Sequence, residues 1–337
     1  MGIINYNKRF FRQPETWIKD IKLKQRIISA LIAIPLFLAI ILFAPQSVYL
    51  AFWHLCIIAC SYEFFKIRGL SKINSLITAA VVGSITPVIS YLWFYTHFLA
   101  IIKDFIILLI LCLAVFVLII WVIIIPLLFK KYNKNQEYKC NNNLLFLLWF
   151  SIISYFYMFV LQFHSSTHRY SLLSVLFIIW ANDAGAYFVG KAIGRHKFSP
   201  IISPNKTWEG FFGGIVVAFI ALMVLNIPVL HTLWLERGIT YTSSYAYGME
   251  LYSYRDSIGL HLLHTLFNVL LISVFATVGD LFQSMLKRMA GVKDSGNIMP
   301  GHGGVFDRID SWLAVGSVQV AITHIILLFL YVRYVIF

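Results

Sequence analysis

A chain of 337 residues that is 60% hydrophobic, 17% aromatic and only 12% charged, with a formal charge of +13, does not have the composition of a soluble globular domain. Its mean hydropathy of +0.81 comes from repeated apolar runs of roughly 18 residues or more, long enough to cross a bilayer, so domain counting by length does not apply. Cysteines at 56, 60, 112 and 140 form no CxxC pair and point to neither a disulfide framework nor a zinc site.

The first 26 residues are a basic segment. Its Lys8, Arg9, Phe10, Phe11, Arg12, Trp17 and Ile18 suit an anionic inner leaflet. No small-residue cleavage site follows the first apolar run, so this segment is not read as a removed signal peptide. Apolar runs then predict helical spans at Ile27–Ala44, Val48–Tyr62, Asn74–Tyr95, Phe105–Phe129, Leu144–Phe163, Ser171–Gly190, Gly210–Leu230, Leu260–Gly279 and Leu313–Val335. The second is the shortest, and reading it as a hairpin partner of the first would change the parity of everything after it. Residues 130–143 form a polar inner loop, and 231–259, rich in Tyr and Ser, form the longest outer connection.

Charge bias tests this arrangement. With the amino terminus in the cytoplasm, all but five of the 27 Lys and Arg residues (Lys103, Arg169, Arg237, Arg255 and Arg333) fall on the inner side. The expectation is therefore an all-α polytopic integral membrane protein of about nine transmembrane helices with a cytoplasmic amino terminus. Residues 27–170 form its amino-terminal helices, and 171–337 form a catalytic membrane domain with inner motif loops. The positive charge follows from membrane insertion and calls for no nucleic-acid partner.

Residues 279–310 break the oily pattern with Asp280, Asp294, Asp307 and Asp310 among six glycines and several cations. A helix running past Gly279 places Asp280, Ser284 and Lys287 on one face, within roughly 60° of each other. Asp307 and Asp310, three apart, share a face at the start of the ninth span. Carboxylates from separate segments at a membrane edge suit a divalent cation that leaves positions open for phosphate oxygens. Between them, Lys293, Asp294, Ser295 and Gly296 precede Pro300, Gly301, His302, Gly303 and Gly304, whose backbone N–H groups are free to converge on an anion.

A second polar patch lies upstream on the same side. Trp180, Asn182, Asp183 and Tyr187 occupy the inner half of the sixth span, followed by Lys191 and Arg195. An ionisable group in a span suggests either a functional role or a structural pair, in this case with Lys191 or Arg195. The stretch Ser203–Gly210 (SPNKTWEG) reads as a loop entering a helix, with Thr207 as a cap and Glu209 favouring the helix start. Its Lys206 fits a substrate contact or plain inner-side charge, and His302 fits a base, a phosphate donor or an idle loop residue. The remaining histidines show no ligand spacing.

These residues resemble the phosphatidate cytidylyltransferases, also called CDP-diacylglycerol synthases. The family pattern falls on Ser284, Lys287, Arg288, Lys293, Asp294, His302, Gly303, Gly304, Asp307, Arg308 and Asp310 with every spacing kept. Met299 stands where the pattern takes Leu, Ile or Phe, an apolar exchange. The Asp183–Tyr187 patch and SPNKTWEG also look like upstream family motifs, so the resemblance is strong over roughly 170–315 and rests on hydropathy before that.

The resemblance implies a magnesium-dependent enzyme of phospholipid biosynthesis. CTP and phosphatidic acid would react at the cytoplasmic face of a bacterial inner (plasma) membrane to give CDP-diacylglycerol and pyrophosphate, with a homodimer left open. It assigns Asp280 and Asp307 as magnesium ligands, with Asp310 and Asp183 supporting or holding a second cation. Asp294 belongs to the catalytic set. Lys287, Arg288, Lys293 and Arg308 would hold phosphates, and His302, Gly303, Gly304, Ser284, Ser203, Lys206 and Thr207 would touch substrate. Rival readings are a cation-coupled transporter, whose charges belong near mid-span, and a lipid kinase or CDP-alcohol transferase. The latter's paired DG and AR motif is not found in this chain. A structural scaffold would not need the carboxylates.

Overall fold

In the computed structural model, residues 14–95, 103–136, 138, 140–163, 169–225, 258–299, 301 and 303–336 are described. The segment to residue 13, His302 and most of the 231–259 connection lie outside the described residues. Where apolar residues run long, helices form: α1 (Pro14–Phe43), α2 (Gln46–Ile67), α3 (Lys72–Tyr95) and α4 (Lys103–Ile119). A π-helical turn (Ile120–Ile124) then leads into α5 (Ile125–Lys134), followed by α6 (Asn142–Gln162) and α7 (Arg169–Ile193). Strands β1 (Lys197–Ser199) and β2 (Ser203–Thr207) precede α8 (Trp208–Leu225), α9 (Ile258–Met289) and α10 (Phe306–Ile336).

Six of the described helical stretches are long and apolar enough to cross a membrane, and they lie in α2, α4–α5, α6, α7, α9 and α10. Shorter apolar helices at Ile28–Phe43, Lys72–Val88 and Trp208–Val224 fall where three further spans are expected. The second span is a full helix of 22 residues, longer than its apolar core predicts, because Glu63 and Ser61 are buried inside the protein. Both meet hydrogen-bond partners inside the fold.

Helices α6 and α10 form the centre. α10 packs on α6, α9 and α4, while α2 lies against α3 and α6. Exposed apolar residues such as Leu31, Leu108 and Leu127 cover the outer surface, as lipid-facing positions would. Large aromatics lock the centre where α2, α6 and the start of α10 meet. Phe64 stacks on Trp149 at 4.1 Å, Phe306 meets Trp149 edge-on at 5.1 Å, and Trp149 Nε1 donates to Ser61 Oγ at 3.1 Å. The π-helical turn carries Trp121, whose Nε1 donates to Ser317 Oγ of α10 at 2.9 Å. Pro126 follows that turn and has no N–H to return to Val122, which accounts for the local departure from α geometry.

α7 and α8 form a tight pair held apart only by glycine. A Cβ on Gly210 would lie 2.7 Å from the Ala186 carbonyl, and one on Gly214 would lie 2.8 Å from the Asn182 carbonyl. Small residues are what let two membrane helices approach this closely. The link between them is a two-stranded antiparallel hairpin with Lys197 opposite Thr207 and Ser199 opposite Ser203. This corrects the all-α expectation, and Ser203 and Lys206 are strand residues instead of loop residues. The strand arises because Glu209 clamps the far end: its carboxylate accepts from Arg195 N and His196 N and meets His196 Nδ1 at 2.6 Å. Trp208 N donates to His196 O at 2.9 Å to close the ring. Thr207 Oγ1 does accept from Gly210 N at 3.1 Å, so the expected cap is present.

Replacing Gly210 with Val would drive a side chain into backbone that cannot move aside. The G210V variant is expected to lower the unfolding free energy by about 2 kcal/mol or more, read from thermal denaturation of the purified protein in detergent.

Candidate active site

The helix α9 does run past Gly279, and that glycine is the reason its polar end meets α10. A Cβ at 279 would lie 2.7 Å from the Asp310 carbonyl and 2.8 Å from Ala314 Cβ, so only glycine allows the approach. Asp280 and Asp310, one on each helix, consequently feel each other's charge, and Asp183 of α7 joins them. Ser284 Oγ donates to Asp280 Oδ1 at 3.3 Å, as the helical spacing predicts. From the hairpin, Lys206 Nζ reaches Asp280 Oδ2 at 2.6 Å, with both side chains partly open to solvent. Asp183 therefore lies in the field of Lys206 and Asp280, and its surroundings differ from a simple bridge to Lys191 or Arg195. Lys191 instead lies over the Tyr187 ring at 5.8 Å.

Asp307 has a different environment from its neighbour three residues on. Its Oδ1 accepts from Gln283 Nε2 at 2.9 Å and Lys287 Nζ at 2.8 Å. Its Oδ2 accepts from Ser295 N at 2.8 Å, Ser295 Oγ at 2.9 Å and Gly304 N at 2.9 Å. A carboxylate offers about four lone-pair positions, so these donors occupy it fully. Asp310 Oδ1 by contrast accepts from Ser311 N at 2.7 Å, a contact with the next residue of its own chain. In this arrangement the oxygens of Asp307 are met by protein donors, while Asp310 lies in the electrostatic field of Asp280. The spacing of three that puts Asp307 and Asp310 on one helix face does not equalise their surroundings.

The residue that sequence reasoning misses is Glu63. It lies in the last turns of α2, is buried to 1% exposure, and reaches the start of α10. Val305 N donates to its Oε1 at 3.1 Å; Phe306 N and Ser295 Oγ donate to its Oε2 at 2.9 and 2.8 Å. Its signal in the chain is that of a lone carboxylate inside an apolar run, which ordinarily marks a paired or functional group. The N–H groups of the glycine-rich segment do converge on anions, as the sequence suggests, but those described converge on Asp307 and Glu63. Gly304, expected to touch substrate, gives its N–H to Asp307. Gly303 takes a positive φ of 83°, and its carbonyl accepts from Met299 N at 2.9 Å.

Of the other expected residues, Arg288, Lys293, Asp294 and Arg308 are exposed around the same rim, and Lys287 is turned inward to Asp307. Ser203 sits at the hairpin turn and Thr207 is occupied as a cap, so of the hairpin residues Lys206 alone is seen to contact the acidic cluster. Among the described residues no three His, Cys, Asp or Glu side chains gather at metal-binding distance. A two-carboxylate site remains compatible with a magnesium ion, which keeps several waters and takes one or two carboxylates plus substrate phosphates.

Fold and site together define a multi-span helical membrane protein with a mixed acidic and cationic cluster where its helices end. The chain matches the cytidylyltransferase family over residues 24–326 and belongs to that family. Over 138 residues it is 43% identical to a phosphatidate cytidylyltransferase of Bacillus subtilis (strain 168), a match covering 41% of each chain. Over 161 residues it is 38% identical to a protein of the same name from Staphylococcus epidermidis, covering 47% of this chain and 50% of the relative. A Staphylococcus aureus (strain COL) relative of that name is 37% identical over the same length. The chain thus spans about half or less of the length of the curated relatives it matches.

The two kinds of carboxylate are separable by stability. Asp307→Asn would set amide hydrogens against existing donors and leave Lys287 unpaired, lowering the melting temperature by about 5 °C or more. Asp280→Asn relieves repulsion from Asp310 and Asp183 while losing the Lys206 pair, so the melting temperature should move by no more than about 2 °C. Thermal melts showing the opposite order would reject the assignment of Asp307 as the structural carboxylate.

Proposed function

We propose that the chain transfers a cytidylyl group from CTP to phosphatidic acid, forming CDP-diacylglycerol and pyrophosphate. Family membership and the relatives' shared name support this reading. The observation that carries it is the Lys206–Asp280 ion pair, which ties the hairpin to α9 where α9 closes on the backbone of Asp310, with Asp183 and Asp310 in the same electrostatic field. Such a cluster suits an anionic nucleotide from the water side and a lipid phosphate at headgroup level.

A phosphate oxygen of phosphatidic acid attacks the α-phosphorus of CTP, and the bond to the departing pyrophosphate breaks. The lipid phosphate is already anionic near neutral pH, so no protein base or covalent nucleophile is required. Transfer of this kind rests on positioning and on stabilising charge. Magnesium, when bound, supplies neutralisation of the phosphate oxygens; Asp280 and Asp310 would hold it, with Asp183 beside them. Lys206 tethers Asp280 and presents its ammonium group to the phosphates. Arg288, Lys293 and Arg308 on the rim offer further cations to the triphosphate. Trp180, Tyr187 and Phe188 are exposed on α7 next to Asp183 and form an apolar flank for the acyl chains.

Topology fits the same reading. Glu63 at the end of the second span touches Phe306 at the start of the last, so an even number of crossings must separate them. We read the three shorter apolar helices as crossings as well, for nine spans, and the Lys and Arg bias supports placing the amino terminus and the site on the cytoplasmic side of a bacterial inner membrane.

Purified protein given CTP, phosphatidic acid and magnesium should release pyrophosphate and form CDP-diacylglycerol. EDTA should abolish turnover and excess magnesium restore it. Asp280→Asn and Asp310→Asn should each lower turnover at least about a hundredfold, as loss of a metal ligand does. Undiminished turnover in EDTA would remove the cation from the reaction, and a phosphorylated lipid made from ATP would make the protein a kinase instead.

A further inference from the structure

We infer that Glu63 is a positioning residue for the reaction, acting from the amino-terminal half of the chain on the loop and helix start that carry Asp307 and Asp310. The inference rests on the cytidylyl-transfer reading above, and no motif of the family pattern includes Glu63. Its carboxylate touches three consecutive parts of the site: Ser295, Val305 and Phe306. Ser295 Oγ lies 2.8 Å from Glu63 Oε2 and 2.9 Å from Asp307 Oδ2, so one hydroxyl ties the two carboxylates together. Helix α10 begins at Phe306, and its free N–H groups carry partial positive charge that a carboxylate satisfies. Glu63 therefore sets where α10 starts, and through that start where Asp310 faces Asp280.

The glycines of the loop corroborate this placement. A Cβ at Gly304 would run into Glu63 Oε2 and Ser295 Oγ, and one at Gly296 would run into Glu63 Oε1. Both positions are glycine because a carboxylate from α2 occupies the space where side chains would stand. Phe64 and Ser61 beside Glu63 are fixed to Trp149, so α2 holds Glu63 against α10 through a rigid aromatic contact.

The chemistry of the replacements makes the idea testable. A glutamine at 63 keeps an oxygen for one backbone N–H but sets its amide hydrogens against the other. An aspartate is one methylene short, and an alanine leaves the Val305 and Phe306 N–H groups without an acceptor. The expected order of turnover in the pyrophosphate-release assay is wild type, then Glu63→Gln at about a tenth, then Glu63→Asp and Glu63→Ala at about a hundredth or less. The KM for CTP should change by less than about threefold in Glu63→Gln, because the rim cations are untouched. Tyr49→Phe, which removes the buried hydrogen bond to the Val160 carbonyl near the other end of the same helix, serves as the control for stability loss. It should keep turnover within about twofold.

Hydrogen–deuterium exchange of the purified chain supplies a readout independent of turnover. In Glu63→Gln the amides of 295–306 should exchange at least about tenfold faster than in wild type, while those of α6 stay unchanged. Turnover that falls equally in Tyr49→Phe and Glu63→Gln at matched melting temperatures would overturn the inference, as would unchanged exchange at 295–306. If wild type makes no CDP-diacylglycerol yet the exchange result holds, the reaction assignment fails and the positioning of this loop stands.

Discussion

Two carboxylates buried at the start of α10 are the constraint on which the site depends. Leaving either without donors inside a bundle of membrane helices would be costly, since neither water nor lipid can solvate it there. The chain answers with N–H groups from one glycine-rich loop, aided by Lys287, Gln283 and the Ser295 hydroxyl. Loop, helix start and carboxylates are then mutually determined. Ser295 cannot leave Asp307 without also leaving Glu63, and α10 cannot shift without releasing both.

This arrangement divides the acidic residues into two sets with different physics. Asp307 and Glu63 have their oxygens met by protein donors. Asp280, Asp310 and Asp183 lie in one another's electrostatic field, and Lys206 pairs with Asp280. Gly279 lets the backbones of α9 and α10 approach beside Asp280 and Asp310. The hairpin contributes the balancing ammonium, and it is held in place by the Glu209 clamp and by the glycine-mediated packing of α7 on α8.

Much of this was legible in the chain itself, because membrane insertion writes directly on composition. Apolar runs marked the helices, and the acidic, glycine-rich stretch from 279 to 310 marked a segment whose N–H groups meet carboxylates. The α-helical period correctly placed Ser284 against Asp280, and local polarity correctly made Thr207 a cap. Local patterns carried these features because each arises from neighbours within a turn or two of the chain.

What the linear chain determined by itself was thus a multi-span helical protein of the cytidylyltransferase kind, with its polar chemistry between residues 180 and 310. Only the tertiary structure decided which carboxylates are spoken for. Asp307 and Asp310 stand three apart on one helix, yet α9 and the loop bring five donors to the first, while the second accepts from Ser311 of its own chain and lies in the field of Asp280. Glu63 meets Phe306 across 243 positions of chain. Hydrogen bonding and charge repulsion act over a few ångströms in space, so contacts between residues this far apart in sequence leave no periodic trace to read.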